Sequence, residues 1–434
     1  MKRIGFVIFG DFVAFWVSLF IILTTRYTGS HSEIIARHFY PFFILFIAWT
    51  LIFFLFDLYD IYNIKPTIPH LKKFGLALIT SFVVGIGLFY LVPSFGITPK
   101  TNLVFQIILF GVISFSFRRF FYALSTKQIV RPAIMIGDSL YIKKLDDAIS
   151  LNPQIGIRVI FRSNDLEETI KNFVMAKNTT FIIDTNSINP TTSSLVEINK
   201  NNNSILDVAE AYEKFLHQIP VDYISESWIL ENISPKKSVL YRVISRVSEV
   251  LFAIFILIVT SPILLIVAIC IKLEDRGQIF YSQTRLGINE TAFKLIKIRS
   301  MVILSSDGGA ETNGAVWMQK DDPRVTKVGR IIRKLHIDEI PQMINIIRGD
   351  IALFGPRPER PEFVKELILE IPHYEIRNII KPGFTGWAQI KYQYANSILT
   401  SKEKFEYDLY YMKNRNIFMD FGILIRTAQI IFKH

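Results

Sequence analysis

Four long apolar blocks crowd the first quarter of this 434-residue chain, at about residues 4–23, 39–56, 74–92 and 103–117. Each approaches the roughly 17–25 residues that cross a bilayer as a helix, the fourth being the shortest. Half of the residues are hydrophobic, and their segregation into blocks argues for a membrane protein over a soluble one. Tyr27, Tyr40, Tyr59 and Tyr90 fall near block ends, where interfacial aromatics are expected. Lys2 and Arg3 precede the first block, Lys65, Lys72 and Lys73 separate the second from the third, and Arg118, Arg119, Lys127 and Arg131 follow the fourth. The other two loops hold fewer cations: Arg26, Arg37 and Lys100. A positive-inside bias then predicts four spans with both ends of the bundle in the cytoplasm. The first block resembles a signal peptide, but no small-residue cleavage pattern follows Leu23, so a retained span is expected. Asp11 lies within that block, and its place near a helix end predicts that it reaches the headgroups.

A net charge of +11 calls for anionic partners: nucleotide phosphates, nucleic acid or anionic lipid. With one cysteine, Cys270, the sequence has neither an internal disulfide nor a cysteine-based metal site. From about 131 to 228 the chain reads as soluble. Ala133–Gly137, Arg158–Phe161 and Thr180–Asp184 read as buried strands between helical stretches, which predicts a small parallel α/β domain. Its first turn, Gly137-Asp-Ser-Leu-Tyr141, lacks the glycines that let a backbone approach a pyrophosphate. A structural or partner-contacting module fits better than a cofactor site. Asn199–Ser204 reads as an exposed turn.

A fifth apolar run covers 250–271. Ser261-Pro262 interrupts it, and proline both removes a donor and crowds the preceding turn, so a break or kink is expected there. Lys236, Lys237, Arg242 and Arg246 lie before the run; Lys272, Arg276 and Arg285 lie after it. A full crossing would strand one basic cluster outside, so a re-entrant hairpin fits better than a kinked span.

Chemistry concentrates in the last third. Asp338-Glu339 opens an apolar stretch, Met343–Ile347, that has helical spacing and stops at Gly349. Asp338 is a natural N-cap and Pro341 is tolerated in a first turn, so the pair would sit at a helix N-terminus, which suits phosphate. Adjacent carboxylates suit Mg²⁺, and either could act as a nucleophile. Around them lie Asp321-Asp322-Pro323-Arg324, Arg330, Arg333 and Lys334, then Gly355-Pro356-Arg357-Pro358-Glu359, with an arginine on stiff backbone. Lys297 and Arg299 add cations, and Lys381–Trp387 forms a glycine-rich loop. Carboxylates among many cations beside a membrane are what diphosphate chemistry with Mg²⁺ requires.

From about Arg246 onward the sequence resembles the bacterial sugar transferases, or monotopic phosphoglycosyl transferases, in their long form. The resemblance rests on Ser261-Pro262, Phe280-Tyr-Ser-Gln283-Thr-Arg285-Leu-Gly287, Lys297-Ile-Arg299-Ser-Met301, Asp322-Pro-Arg324, Asp338-Glu-Ile-Pro-Gln342, Gly355-Pro-Arg-Pro358 and Pro382-Gly-Phe-Thr-Gly386. It implies a membrane protein of α plus α/β class. A four-helix transmembrane bundle would cover 1–124, a Rossmann-like cytoplasmic domain 130–230, and an α-rich catalytic domain 240–434 with its re-entrant helix at 248–271. It further implies transfer of a sugar 1-phosphate from a UDP-sugar to undecaprenyl phosphate, with UMP leaving. Asp338 would be the nucleophile that forms a phosphosugar-aspartyl intermediate, and Glu339 would help it hold Mg²⁺. Arg357 would hold a phosphate, Lys297, Arg299, Arg324, Arg333, Gln283 and Arg285 would line the substrate site, and Ser261-Pro262 would break the helix. The setting would be the bacterial inner membrane with catalysis on the cytoplasmic side, and long-form relatives suggest a homodimer. Two departures are visible: Ser245-Arg246-Val-Ser-Glu249 replaces a Lys-Arg-x-x-Asp pattern, and Glu290 stands where a glycine is usual. A membrane-anchored nucleotide-sugar epimerase would need a dinucleotide loop and a Tyr-x-x-x-Lys helix, neither of which is evident. A scaffold or transporter would leave the Asp-Glu and Pro-Arg-Pro blocks unexplained. Nucleic-acid binding is disfavoured because the cations flank apolar segments instead of lining one soluble face.

Overall fold

A computed structural model of the protein describes residues 2–28, 31–56, 58–59, 68–92, 100–127, 131–152, 155–173, 176–233, 239–302, 322–392 and 397–433. Lys65, Lys236, Lys237 and Asp321 lie outside the described residues. The chain divides into two compact units, Met1–Ala211 and Tyr212–His434.

The first unit opens with α1 (Lys2–Arg26), α2 (His31–Leu55), α3 (Ile68–Leu91) and α4 (Lys100–Lys127). Helix α1 packs on α2 and α4, and α3 packs on the same two. The shared core is aromatic: Phe15, Phe42, Trp49, Phe53 and Phe110 are buried in it, with Phe15 edge-on to Trp49 at 5.4 Å. Each helix contains a stretch long and apolar enough to cross a membrane, and Phe9, Phe20, Ile79 and Ile108 point outward. Asp11 does not reach outward as expected. It lies on the face of α1 that meets α4 and is fully buried. There it accepts from Ser114 at 2.6 Å and pairs with Arg118, also buried. Arg118 in turn donates to the Leu58 carbonyl and is ringed by Phe53, Tyr59 and Phe74. Tyr59 is therefore part of the core and not an interfacial residue. An internal cation makes burial of the carboxylate tolerable where lipid offers none.

The rest of the unit alternates β1 (Arg131–Ile136), α5 (Leu140–Leu151), β2 (Ile157–Ser163), α6 (Leu166–Phe173), β3 (Thr180–Ile183), α7 (Thr192–Asn199) and β4 (Ser204–Asp207). All pairings are parallel, in the order β2-β1-β3-β4. The fourth strand starts at Ser204, the end of the segment read as a turn. Gly137 has φ +130°, and a Cβ there would lie 2.5 Å from the Asp184 Cβ, so only glycine fits. Asp138, Asp184 and Asp207 mark the C-terminal ends of β1, β3 and β4. Such an acidic edge disfavours a diphosphate, in line with the missing glycine loop.

Helix α8 (Val208–Leu216) carries the boundary between the units. Ile219, Val221 and Ile224 share a core with Leu367, Tyr374, Phe405 and Leu409, so 212–224, assigned by sequence to the α/β domain, packs with the C-terminal unit. After α9 (Glu226–Asn232) comes α10 (Val239–Asp275), one unbroken helix of 37 residues with Pro262 inside it. Ser261-Pro262 does not break the helix into two, for a local reason. Proline cannot serve the Ile258 carbonyl four residues back, and the Ser261 hydroxyl donates to that carbonyl at 2.8 Å instead. Both ends of α10 are held by the same unit. Arg246 donates to the Ile346 and Ile347 carbonyls at 2.7 and 2.9 Å, and Val267 and Ile271 pack with Ile298 and Ile332. Between these anchors Leu251, Phe255, Ile258, Leu265 and Ile266 are exposed.

The remainder consists of an antiparallel hairpin of β5 (Phe280–Leu286) and β6 (Ala292–Ile298), then α11 (Lys327–Lys334) and α12 (Gln342–Arg348). A short parallel pair, β7 (Ala352–Phe354) and β8 (Gly383–Thr385), flanks α13 (Pro361–Glu370). Helices α14 (Trp387–Lys391), α15 (Ile398–Asn414) and α16 (Ile417–Lys433) close the unit.

Candidate active site

Three segments converge on Glu339. Strand β6 brings Lys297, a turn before α12 brings the dyad, and the loop after β7 brings Arg357. Lys297 Nζ lies 3.0 Å and Arg357 Nη2 2.7 Å from the same oxygen, Glu339 Oε1. The dyad sits in a 3₁₀ turn, Ile337–Glu339, entered through His336 at φ 54°. Asp338 is thus already inside a turn and caps nothing. Helix α12 begins at Gln342 with Pro341 as its N-cap residue and no side-chain cap. The left-handed residue starts a fresh turn, which moves the carboxylates one turn ahead of the helix expected to carry them.

The two carboxyls differ in environment. Burial raises Asp338 above the usual carboxylate range, with Lys297 opposing and Glu339 adding to the rise. Burial would raise Glu339 as well, but the charges of Arg357 and Lys297 outweigh it and hold Glu339 well below that range. One neighbour is therefore a fixed anion and the other is a buried carboxylate with a reluctant charge. Arg333, in the last turn of α11, is near enough to lower both Asp322 and Asp338.

The other cations expected at the site are engaged elsewhere. Arg299 forks onto Asp275, the last residue of α10, and donates to the Gln278 carbonyl at 2.7 Å. It tethers β6 to the apolar helix. Arg324 folds back on Asp322 at 2.8 Å and holds that carboxyl down to about 2. Arg285 likewise has protein partners. It donates to Gln283 Oε1 at 2.7 Å and to the Pro358 carbonyl at 3.2 Å, and burial pushes its guanidinium down to about 10. Gln283 and Arg285 thus meet the Pro-Arg-Pro loop through its Pro358 carbonyl. Ser261 maintains the continuity of α10 across Pro262.

That loop is pinned at four successive carbonyls. Pro356 accepts from Gly383 N at 2.8 Å, Arg357 from Arg377 at 3.0 Å, Pro358 from Arg285, and Glu359 from Leu286 N at 3.1 Å. The Glu359 carboxylate receives Lys404 at 2.7 Å. Arg377 and Asp408 were not singled out by sequence, where each reads as an ordinary charge on a polar stretch, and Glu359 entered only as the end of the Pro-Arg-Pro segment.

Among the described residues no group of three or more His, Cys, Asp or Glu side chains converges as a metal cage. Asp338 and Glu339 alone still fit Mg²⁺, which commonly takes one or two carboxylates and fills its remaining positions with water and substrate phosphates.

Residues 240–434 match the family described as bacterial sugar transferase. A UDP-N-acetylgalactosamine-undecaprenyl-phosphate N-acetylgalactosaminephosphotransferase of Aeromonas hydrophila is 37% identical over 227 residues, which is 52% of this chain and 52% of that protein. A Bacillus subtilis protein provisionally named undecaprenyl-phosphate N-acetylgalactosaminyl 1-phosphate transferase is 44% identical over 142 residues, 33% of this chain and 76% of the relative. The UDP-glucose:undecaprenyl-phosphate glucose-1-phosphate transferase of Escherichia coli K12 is 34% identical over 189 residues, 43% of this chain and 40% of the relative. The match thus spans about half the length of the Aeromonas protein and 40% of the Escherichia protein.

Proposed function

Because the chain belongs to the bacterial sugar transferase family, we propose that it transfers a sugar 1-phosphate from a UDP-sugar to undecaprenyl phosphate. The observation that carries this reading is the placing of Lys297 and Arg357 on one oxygen of Glu339 beside the buried Asp338. A carboxylate oxygen held by two cations marks a place where a phosphate oxygen is equally welcome. On this reading an Asp338 oxygen attacks the phosphorus bonded to the sugar, and the P–O bond to UMP breaks, the electron pair leaving with UMP. An oxygen of undecaprenyl phosphate then attacks the same phosphorus of the phosphosugar-aspartyl intermediate. Polyprenyl-diphospho-sugar forms and the Asp338 carboxylate is restored. Arg357 and Lys297 steady the phosphates, Glu339 keeps those cations aligned, and Arg333 adds positive potential near Asp338. Mg²⁺, held by Asp338 and Glu339, would supply charge neutralisation of the diphosphate.

The membrane placement belongs to the same proposal. The four N-terminal helices span the inner membrane. Helix α10 bends at Pro262 while staying continuous, and so dips into the cytoplasmic leaflet and returns, a reading supported by the anchoring of both its ends on one unit. The catalytic unit then lies on the cytoplasmic side, where the acceptor phosphate is, and the protein works as a homodimer.

The test is intact-mass analysis of the purified protein with Mg²⁺ and a panel of UDP-sugars, without lipid, beside Asp338→Asn. A sugar-phosphate increment with one donor, absent in the variant, identifies donor and nucleophile together. UMP released only once undecaprenyl phosphate is present would replace the covalent step with direct transfer. No UMP under any condition would overturn the proposed reaction.

A further inference from the structure

The structure draws attention to a residue behind the dyad. Arg377 lies in the 3₁₀ segment Tyr374–Ile379, is 3% exposed, and touches none of the residues that line the dyad through their side chains. Its guanidinium donates to the Tyr374 hydroxyl at 2.7 Å, to Asp408 at 3.1 Å and to the main-chain carbonyl of Arg357 at 3.0 Å. Asp408, on α15, is buried as deeply. A buried ion pair is weak evidence for stability, because desolvating two charges offsets most of their attraction. Here the third contact gives the pair another use. The peptide it grips is that of the one residue whose side chain bridges from the loop to Glu339.

We infer that Arg377 is a positioning residue for the reaction: anchored by Asp408 and Tyr374, it fixes the Arg357 peptide so that the Arg357 guanidinium meets Glu339 and the transferred phosphate in one orientation. The two prolines restrict φ on either side of Arg357, Gly383 and Arg285 hold the neighbouring carbonyls, and Arg377 holds the carbonyl between them. An arginine suits this work because its planar fork serves three acceptors without reorienting. Glu359, 3.9 Å from Arg377 and bonded to Lys404, balances the local positive charge.

The inference rests on the proposed transfer, and its test separates the two. Wild-type protein is assayed for UMP release, and its failure to release UMP would overturn the transfer reading and this inference with it. Given activity, Arg377→Met is paired with Arg377→Met/Asp408→Leu, which leaves no lone buried charge. Each is also built in an Arg357→Ala background. Misplacing Arg357 by about 1 Å is expected to lower kcat/KM by about 10²-fold in both Arg377 variants. In the Arg357→Ala background the same changes should have almost no further effect on kcat/KM. Amide exchange over 355–360 should quicken in the Arg377 variants while exchange in α12 stays as in wild type. An equal fractional loss of activity in both backgrounds, or unchanged exchange over 355–360, would overturn the inference and leave Arg377 a purely structural ion-pair partner.

Discussion

At the residue scale, the site separates two adjacent carboxyls by environment. On the proposed reading Asp338 reacts in its ionised form, and burial raises its pKa. The acid limb of the pH–kcat/KM profile should therefore lie above the usual carboxylate range, with activity lost as pH falls through it. Lys297 is the cation that most opposes this rise, so Lys297→Met should move the limb to still higher pH. A limb at the ordinary value in both proteins would mean that Asp338 titrates as an exposed group. Arg357→Ala should lower kcat/KM by about 10²–10³-fold, in the range of other lost charge-stabilising donors. Steady-state UMP release measures it. Arg357→Lys should recover little, since a point charge cannot reproduce the fork. The cluster of Asp338, Glu339, Lys297 and Arg357 was legible because carboxylates and a proline-braced arginine are unusual next to a long apolar segment. The sorting of the other cations was not. Arg299, Arg324 and Arg285 have the same chemistry as Lys297 and Arg357 in one dimension, and only the fold shows that their forks are filled by Asp275, Asp322 and the Pro358 carbonyl.

At the element scale, α10 shows how a helix keeps a proline. The carbonyl that Pro262 orphans is served by the hydroxyl one residue before it. Ser261→Ala should remove that service and, if this stretch lies in lipid as proposed, lower stability by about 1–3 kcal/mol. Thermal unfolding in detergent or nanodiscs would record the loss. Pro262→Ala should let α10 straighten and favour full crossing, and cysteine-accessibility mapping of the C-terminus would detect the change of side. A cytoplasmic C-terminus with normal activity in Pro262→Ala would count against the hairpin. Sequence made the proline plain but not the serine's compensation, which depends on a rotamer. It also missed β4, since four residues carry too little periodicity to stand out, and it misplaced the start of α12, because His336 adopts a left-handed conformation that nothing in its side chain announces.

At the scale of the whole molecule, the boundary between compact units falls inside α8, well upstream of residue 240, where the family match starts. A fragment beginning at Val208 keeps Ile219, Val221 and Ile224 against Leu367 and Phe405, whereas one beginning at 240 strips that face of the core. The longer fragment should unfold at the higher temperature and bind less of a hydrophobic dye. Equal behaviour of the two would show that 208–239 adds nothing to the catalytic unit. Within the N-terminal unit, Arg118→Met should destabilise the bundle by about 3–5 kcal/mol because it strands Asp11, and Asp11→Leu/Arg118→Met should recover much of that loss. Composition alone made the four long apolar helices legible. The pairing of Asp11 with Arg118 was not, because the residues are 107 positions apart and no periodicity links them.

The shared oxygen of Glu339 bears on turnover. Between catalytic cycles Arg357 and Lys297 already have an anion, supplied by the protein itself. On the proposed reading every incoming diphosphate must displace a tethered rival, and every departing UMP is replaced by it at once. On that reading the site gives up some affinity for nucleotide and gains speed of product escape, a balance suited to the proposed reaction, in which the acceptor waits in the lipid and enters only once the first product has gone.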